Sequence, residues 1–260
     1  MGHLYSGGRG VEQDDKEAFK WYKKAAEAGH AEGMLQLGHL YDDGRGVEKG
    51  DKEASAWFKR AAEAGNTDAM NILGVRYRRG LGLAKDDKEA FKWYKKAAEA
   101  GDAIGLNNLG LLYEAGVGVA KDEKEAFKWY TKAAAAGNTD GMVNLGELYD
   151  DGRGVGQDAK EATAWYRKAA EGENSDAMNR LGERLASGRG VAKDEKEAVG
   201  WYRKAADAGE AAGMNNLGVM YENGRGVEKN LKEAVGWYQK AADLKNQDAK
   251  DALKRLRVGQ

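Results

Sequence analysis

The chain has 260 residues, with 42 Lys and Arg against 43 Asp and Glu, a formal net charge of −1 and no cysteine. Balanced, mixed charge exerts no general pull on nucleic acid or on an anionic membrane, and the absence of cysteine excludes disulfides and thiolate zinc sites while leaving the compartment open. No apolar run approaches the roughly 18 residues of a membrane-spanning helix, so no membrane insertion is expected, and no leader sequence is visible.

In chain order, Met1-Gly2-His3-Leu4-Tyr5 aligns with Leu37-Gly38-His39-Leu40-Tyr41 in the middle of a later segment. The start therefore reads as trimmed, and its uncapped apolar edge suits end-to-end self-association. Tryptophan then recurs at Trp21, Trp57, Trp93, Trp129, Trp165, Trp201 and Trp237, always 36 residues apart. A fixed period of this size marks stacked copies of one small unit that cannot bury its apolar side alone. The expected organisation is a single array over 1–257. It has a truncated copy at 1–29, copies at 30–65, 66–101, 102–137, 138–173, 174–209 and 210–245, and a capping helix at 246–257.

Within a unit, a first helix is predicted from about Asn138 to Asp150, with Met142, Leu145, Leu148 and Tyr149 on one side. Asn66, Asp102, Asn138, Asn174 and Asn246 stand at the matching start positions and read as N-caps. A Gly-x-Gly-Val connection follows, as in Gly8-Arg9-Gly10-Val11 and Gly44-Arg45-Gly46-Val47, where glycine permits positive φ at a helix end.

The second helix starts at Asp14, Asp86, Asp122, Asp158, Asp194 or Asn230, with Glu three residues on, the pattern of a capping box. Gly50 breaks the pattern. Ala18, Trp21, Tyr22, Ala25 and Ala26 are expected to share the buried side, each Trp burying roughly 150–250 Å². A central Trp→Ala change is then expected to cost about 3–5 kcal/mol. Gly38, Gly74, Gly110, Gly146, Gly182 and Gly218 sit mid-helix, where glycine costs about 1 kcal/mol relative to alanine; their retention predicts close helix approach. No strand signal appears.

These residues resemble the Sel1-like repeat family, related to the tetratricopeptide repeats, over nearly the whole chain. The motif is Leu37-Gly38-x-x-Tyr41, then Gly44-x-Gly46-Val47, then Lys52-Glu53-Ala54-x-x-Trp57-Phe58-x-x-Ala61-Ala62-x-x-Gly65. The resemblance implies an all-α, right-handed superhelical solenoid with first helices lining a concave side, and scaffold or adaptor work. The chain departs from the pattern at Gly172-Glu173 and at Arg184-Leu185, so the softest junction is expected between about Ala170 and Ser187. At the C-terminal end Lys250, Lys254 and Arg257 replace the usual Met, Gly and Tyr, which reads as a polar cap.

Catalysis finds no support. His3, His30 and His39 bear no patterned relation to Ser6, Ser55, Ser175 or Ser187. Gly-Arg-Gly lacks the third glycine and preceding strand of a phosphate loop, and Asp42-Asp43-Gly44 lacks the alternating ligands of a calcium loop. No cofactor or metal is expected.

By analogy with tetratricopeptide units, a concave face would carry the row Leu35, Asn71, Asn107, Val143, Asn179 and Asn215. An asparagine ladder there offers donor and acceptor to an extended peptide backbone. A second row, Asn108, Asn144 and Asn216, reads as ties between neighbouring units. Val75, Ile104, Leu111 and Val143 form the least polar stretch, beside a basic cluster of Arg76, Arg78 and Arg79 and an acidic run including Glu147. This combination suits a protein or peptide segment with apolar anchors; the competing reading is neutral variation on a solvated face. The leading expectation is a non-catalytic protein-interaction scaffold. An idealised consensus array without natural ligand is a second reading, since the chain has no proline. A nucleic-acid-binding helical repeat is a third and lacks the basic track it needs.

Overall fold

A computed structural model describes residues 1–8 and 12–258. Arg9, Gly10 and Val11 of the first loop, and the Arg257 side chain assigned to the polar cap, lie outside the described residues. The chain divides into two compact units, Met1–Ala136 and Gly137–Gln260. The first unit contains α1 (Gly2–Gly7), α2 (Asp15–Glu27), α3 (Ala31–Asp43), α4 (Asp51–Glu63), α5 (Thr67–Arg79), α6 (Asp87–Glu99), α7 (Ala103–Ala115) and α8 (Glu123–Ala135). The second contains α9 (Thr139–Asp151), α10 (Ala159–Glu171), α11 (Ser175–Ser187), α12 (Glu195–Asp207), α13 (Ala211–Asn223), α14 (Leu231–Asp243) and α15 (Gln247–Val258). Among the described residues there is no strand. Within each unit every helix packs on the one before and the one after it, as expected of an α/α solenoid of helix-turn-helix repeats.

The predicted starts and stops are present. Asn66, Asp102, Asn138 and Asn174 each accept a backbone N–H in the first turn of α5, α7, α9 and α11, and Asn246 accepts from Ala249. Gly50 heads α4 with no side-chain bond. The capping box is only half formed. Asp14 accepts from the Lys16 and Glu17 amides, yet its own N–H goes to the Tyr5 carbonyl. Asp86, Asp122, Asp158 and Asn230 likewise donate to the carbonyls of Tyr77, Tyr113, Tyr149 and Tyr221. Glu17, Glu89 and Glu125, left without that donor, pair with Lys20, Lys92 and Lys128 one turn on. The loop glycines serve two ends: Gly44 closes α3 at φ 72, and a Cβ on Gly46 would stand 2.1 Å from the Asp15 carbonyl oxygen.

The tryptophan row is not the core row. Trp93 alone of the seven is buried, and Trp21 is 36% exposed. The next residue carries the packing: Tyr22, Phe58, Tyr94, Tyr130, Tyr166, Tyr202 and Tyr238 are all buried, Tyr130 completely. In α2 the buried positions are Ala18, Tyr22 and Ala26, four apart, which leaves Trp21 at the edge of the stripe. There a cation covers the ring: Lys24 over Trp21, Arg60 over Trp57, and Lys96, Lys132, Lys168, Lys204 and Lys240 over the rest. The mid-helix glycines do mark close approach, and the approaching group is this second aromatic. A Cβ at Gly38 would lie 2.6 Å from the Phe58 ring, and at Gly218 2.7 Å from the Tyr238 ring.

Two core positions hold arginine where other copies hold Leu or Met. Arg76 and Arg184 occupy the positions of Leu40, Leu112, Leu148 and Met220, three repeats apart, and both are buried. Arg76 donates to Asp42 Oδ1 at 2.7 Å, Ser55 Oγ at 2.7 Å and the Asp51 carbonyl at 2.9 Å. Arg184 donates to Asp150, which also accepts from the Tyr166 hydroxyl at 2.9 Å. Buried Ser55 and Thr163 stand where Phe19, Phe91 and Phe127 stand elsewhere. Each arginine thus replaces apolar packing by an Asp–guanidinium contact between successive first helices. Arg76 therefore does not belong to a surface basic cluster with Arg78 and Arg79.

At the α10–α11 junction Glu173 adopts φ 65, the left-handed conformation that Gly29, Gly65, Gly101 and Gly209 take in other copies. That region costs a non-glycine residue about 1–2 kcal/mol, of which glycine's greater unfolded-state entropy would return part. Glu173→Gly is expected to stabilise the chain by about 0.5–1 kcal/mol on urea titration, and an unchanged or lowered midpoint would contradict this account.

Candidate functional site

The positions predicted to contact a ligand separate into buried and accessible sets. In the first unit Leu35, Asn71 and Asn107 are buried, and Asn71 donates its amide to Asp102 Oδ1 at 2.7 Å, tying α5 to the N-cap of α7. Val75, Arg78, Ile104 and Leu111 are exposed on the same pair of helices, Ile104 by 52%. In the second unit Val143 and Asn179 are buried. Asn179 accepts from Asn216 at 2.9 Å and donates to Glu183 at 3.1 Å. Glu147 is half-buried and pairs with Arg180 at 2.6 Å, and Asn215 is half-buried. Much of the ladder's hydrogen-bonding capacity is thus spent inside each unit.

Of the exposed residues of the first unit, Val75 and Arg78 line a cavity of about 310 Å³ together with Arg79, Lys85, Asp87, Tyr94 and Val117, whereas Ile104 and Leu111 lie outside it. The end of α5 supplies Val75, Arg78 and Arg79; the α5–α6 connection supplies Lys85; α6 supplies Asp87 and Tyr94; and the loop before α8 supplies Val117. Burial raises the Tyr94 phenol above its ordinary range, opposed by the adjacent Arg78 guanidinium. In three other copies the residue equivalent to Arg78 is a carboxylate that binds the core tyrosine, while Ser6 and Ala186 hold the position in two more. Glu114 accepts from Tyr130, Asp150 from Tyr166 and Glu222 from Tyr238. Arg255 is the chief cause of the lowered Glu222 carboxyl pKa.

Sequence reasoning picked out Val75, Arg78 and Arg79 and missed Lys85, Asp87, Tyr94 and Val117, which reach the cavity from a neighbouring helix and two loops. A legible signal was the inversion of charge at Arg78 and Arg79 against Asp42 and Asp43, or Asp150 and Asp151, in matching positions. His39 stacks edge-on with Phe58 and His3 with Tyr22. Among the described residues no cluster of His, Cys, Asp or Glu has the geometry to hold a metal ion, and no helix is long and apolar enough to cross a membrane.

Helical hairpins repeating in register, each closed by its neighbours, define an α/α repeat protein. The chain belongs to the Sel1 repeat family, whose repeat matches residues 1–30, 31–66, 67–102, 103–138, 139–174, 175–210 and 211–246. Members of this family generally serve as non-catalytic protein-interaction scaffolds. The chain is similar to c5321, a protective antigen of uropathogenic Escherichia coli strains with an SLR fold. The two share 37% identity at a TM-score of 0.82, over 99% of this chain and 55% of that one, so this chain spans little more than half of that relative. It is also similar to a Sel1 repeat protein from Oxalobacter formigenes, with 32% identity and a TM-score of 0.86, over 98% of this chain and 74% of that one. Yeast Tom70 shares the fold alone, at 14% identity and a TM-score of 0.53, over 94% of this chain and 51% of that one. No curated protein matches the chain.

Proposed function

We propose that this chain is a non-catalytic scaffold that holds a peptide or protein segment on the first-helix surface of its first unit. The supporting observation is a set of exposed apolar side chains on α5 and α7: Val75 and Leu111 at matching positions of the two helices and Ile104 two turns before Leu111, with exposed Arg78 one turn on from Val75. Apolar side chains scattered singly are ordinary on a protein surface; several together beside a charge have the composition of a docking patch. The buried asparagines behind them, Asn71 and Asn107, hold the helices rather than the ligand. The remaining candidate positions, Leu35, Val143, Glu147, Asn179 and Asn215, support the packing of their own units on this reading.

A displayed random dodecapeptide library panned on the intact chain tests it. Enriched sequences should lose binding to a Val75→Asp/Leu111→Asp variant that keeps its helical circular dichroism. Failure to enrich any sequence over a bare support would remove the proposal.

A further inference from the structure

Arg78 and Arg79 invert the charge that several other copies carry at the matching surface positions. The position of Arg78 is Asp42, Glu114, Asp150 or Glu222 in four other copies, and that of Arg79 is Asp43 or Asp151 in two. Packing does not call for the change. In three copies the carboxylate at the first position receives the hydroxyl of the core tyrosine. In the fourth, Phe58 has no hydroxyl, and Asp42 pairs with Arg76 instead. Tyr94 keeps its hydroxyl and is buried like the others, yet meets Arg78 in place of an acid. The fold has given up a carboxylate acceptor here and gained two cations.

Those cations are not neutralised from within. Arg78, Arg79 and Lys85 form no ion pair among the described residues, whereas Arg45, Arg76, Lys92 and Lys121 in the same unit each have a carboxylate partner. All three are exposed and line the same cavity, where Asp87 is the one opposing carboxylate. Between them the floor is apolar: Val75, the buried ring of Tyr94 and half-buried Val117. Leu111 repeats the position of Val75 one unit on and extends the apolar strip along α7.

We infer that this pocket takes an acidic peptide segment, its carboxylates held by Arg78, Arg79 and Lys85 and a neighbouring apolar side chain seated against Val75 and Val117. The inference rests on the scaffold reading above and names the chemistry of the partner. Arginine suits the task because its planar fork can bind a carboxylate through two parallel bonds. The cavity, at about 310 Å³, has room for one or two side chains and not for an extended polyanion. A nucleic acid strand would need a basic track and an open aromatic ring for a base to stack on. The chain has a net charge of −1, and the Tyr94 ring is 2% exposed.

The test uses the intact chain and a fluorescein-labelled dodecapeptide of alternating glutamate and leucine. Counterparts carry glutamine or lysine in place of glutamate, and polyuridylate is titrated in parallel. The glutamate peptide should bind saturably, at least tenfold more tightly than the glutamine peptide, and weaken as salt rises. Arg78→Glu/Arg79→Glu should lose at least tenfold for the glutamate peptide and gain for the lysine peptide while keeping its helical circular dichroism, since other copies carry a carboxylate at both positions. Equal binding of the glutamate and glutamine peptides, indifference to the charge reversal, or polyuridylate competing for the same arginines would each overturn the inference. If panned library peptides bind but are neither acidic nor sensitive to the reversal, the inference falls and the scaffold reading stands. If neither the library nor the alternating peptide binds, both fall.

Discussion

Asp150→Ala is expected to destabilise the second unit by about 3–5 kcal/mol, because it strands a buried guanidinium. Arg184 and Asp150 have side chains only 10% and 8% exposed. The carboxylate also accepts the Tyr166 hydroxyl at 2.9 Å and lies 3.5 Å from Arg189. Its removal leaves Arg184 desolvated without a counter-charge and the Tyr166 hydroxyl without an acceptor. Burial already pushes the Tyr166 phenol up to about 12.

The pair itself is a different matter. Arg184 Nη1 has no hydrogen-bond partner, so desolvation of the guanidinium is incompletely offset, and the position accommodates leucine in Leu40, Leu112 and Leu148. Replacing a buried pair by apolar packing is often neutral or favourable by about 1–4 kcal/mol. Asp150→Asn/Arg184→Leu removes both charges and keeps an acceptor for Tyr166. It should therefore fall within about 1 kcal/mol of the parent, or above it. Urea titration of the two variants decides: a small loss for the single change, or an equal loss for both, would contradict the account.

What such arginines contribute is register. Leucine at this position would pack on any similar neighbour, whereas Arg76 needs Asp42 and Ser55 of the preceding copy, and Arg184 needs Asp150. In a chain of near-identical units, a buried polar match of this kind disfavours pairing with the wrong copy.

The helical architecture was legible because its determinants are local and repeated: caps at Asn66 and Asp86, stops at Gly44 and Gly80, and apolar spacing within each helix. The core aromatic was harder to identify. Trp21 and Tyr22 are adjacent on a helix, about 100° apart, and either side of that angle can face inward. The choice is made by the glycine of the packed first helix, Gly2 for Tyr22 and Gly38 for Phe58, which sequence distance does not reveal. The candidate site was half legible for a related reason. Arg78 and Val75 lie one turn apart on α5, but Lys85, Tyr94 and Val117 join them only through the stacking of α5, α6 and the following loop. Arg76, grouped with Arg78 and Arg79 by proximity along the chain, points instead into the core.

The glycine–tyrosine contact yields the sharpest test of how these units close. A Cβ on Gly110 would sit 2.6 Å from two atoms of the Tyr130 ring. That ring is wholly buried, and its hydroxyl is tied to Glu114, so it cannot easily slide away. Overpacking costs about 1–3 kcal/mol and sometimes more, while alanine gains about 1 kcal/mol over glycine inside a helix. The steric term should prevail, and Gly110→Ala should lose about 1 kcal/mol net. Tyr130→Ala should lose about 3–5 kcal/mol from the cavity it opens, well above Trp129→Ala, whose ring is partly solvated under Lys132. The decisive variant is the double one. With the ring gone, the clash is absent and only helix propensity remains, so Gly110→Ala should stabilise the Tyr130→Ala background by about 1 kcal/mol. A change of sign between the two backgrounds would locate the role of Gly110 in its contact with Tyr130, as far as a double-mutant cycle can apportion it. The same sign in both would mean that glycine is kept at this position for its backbone alone.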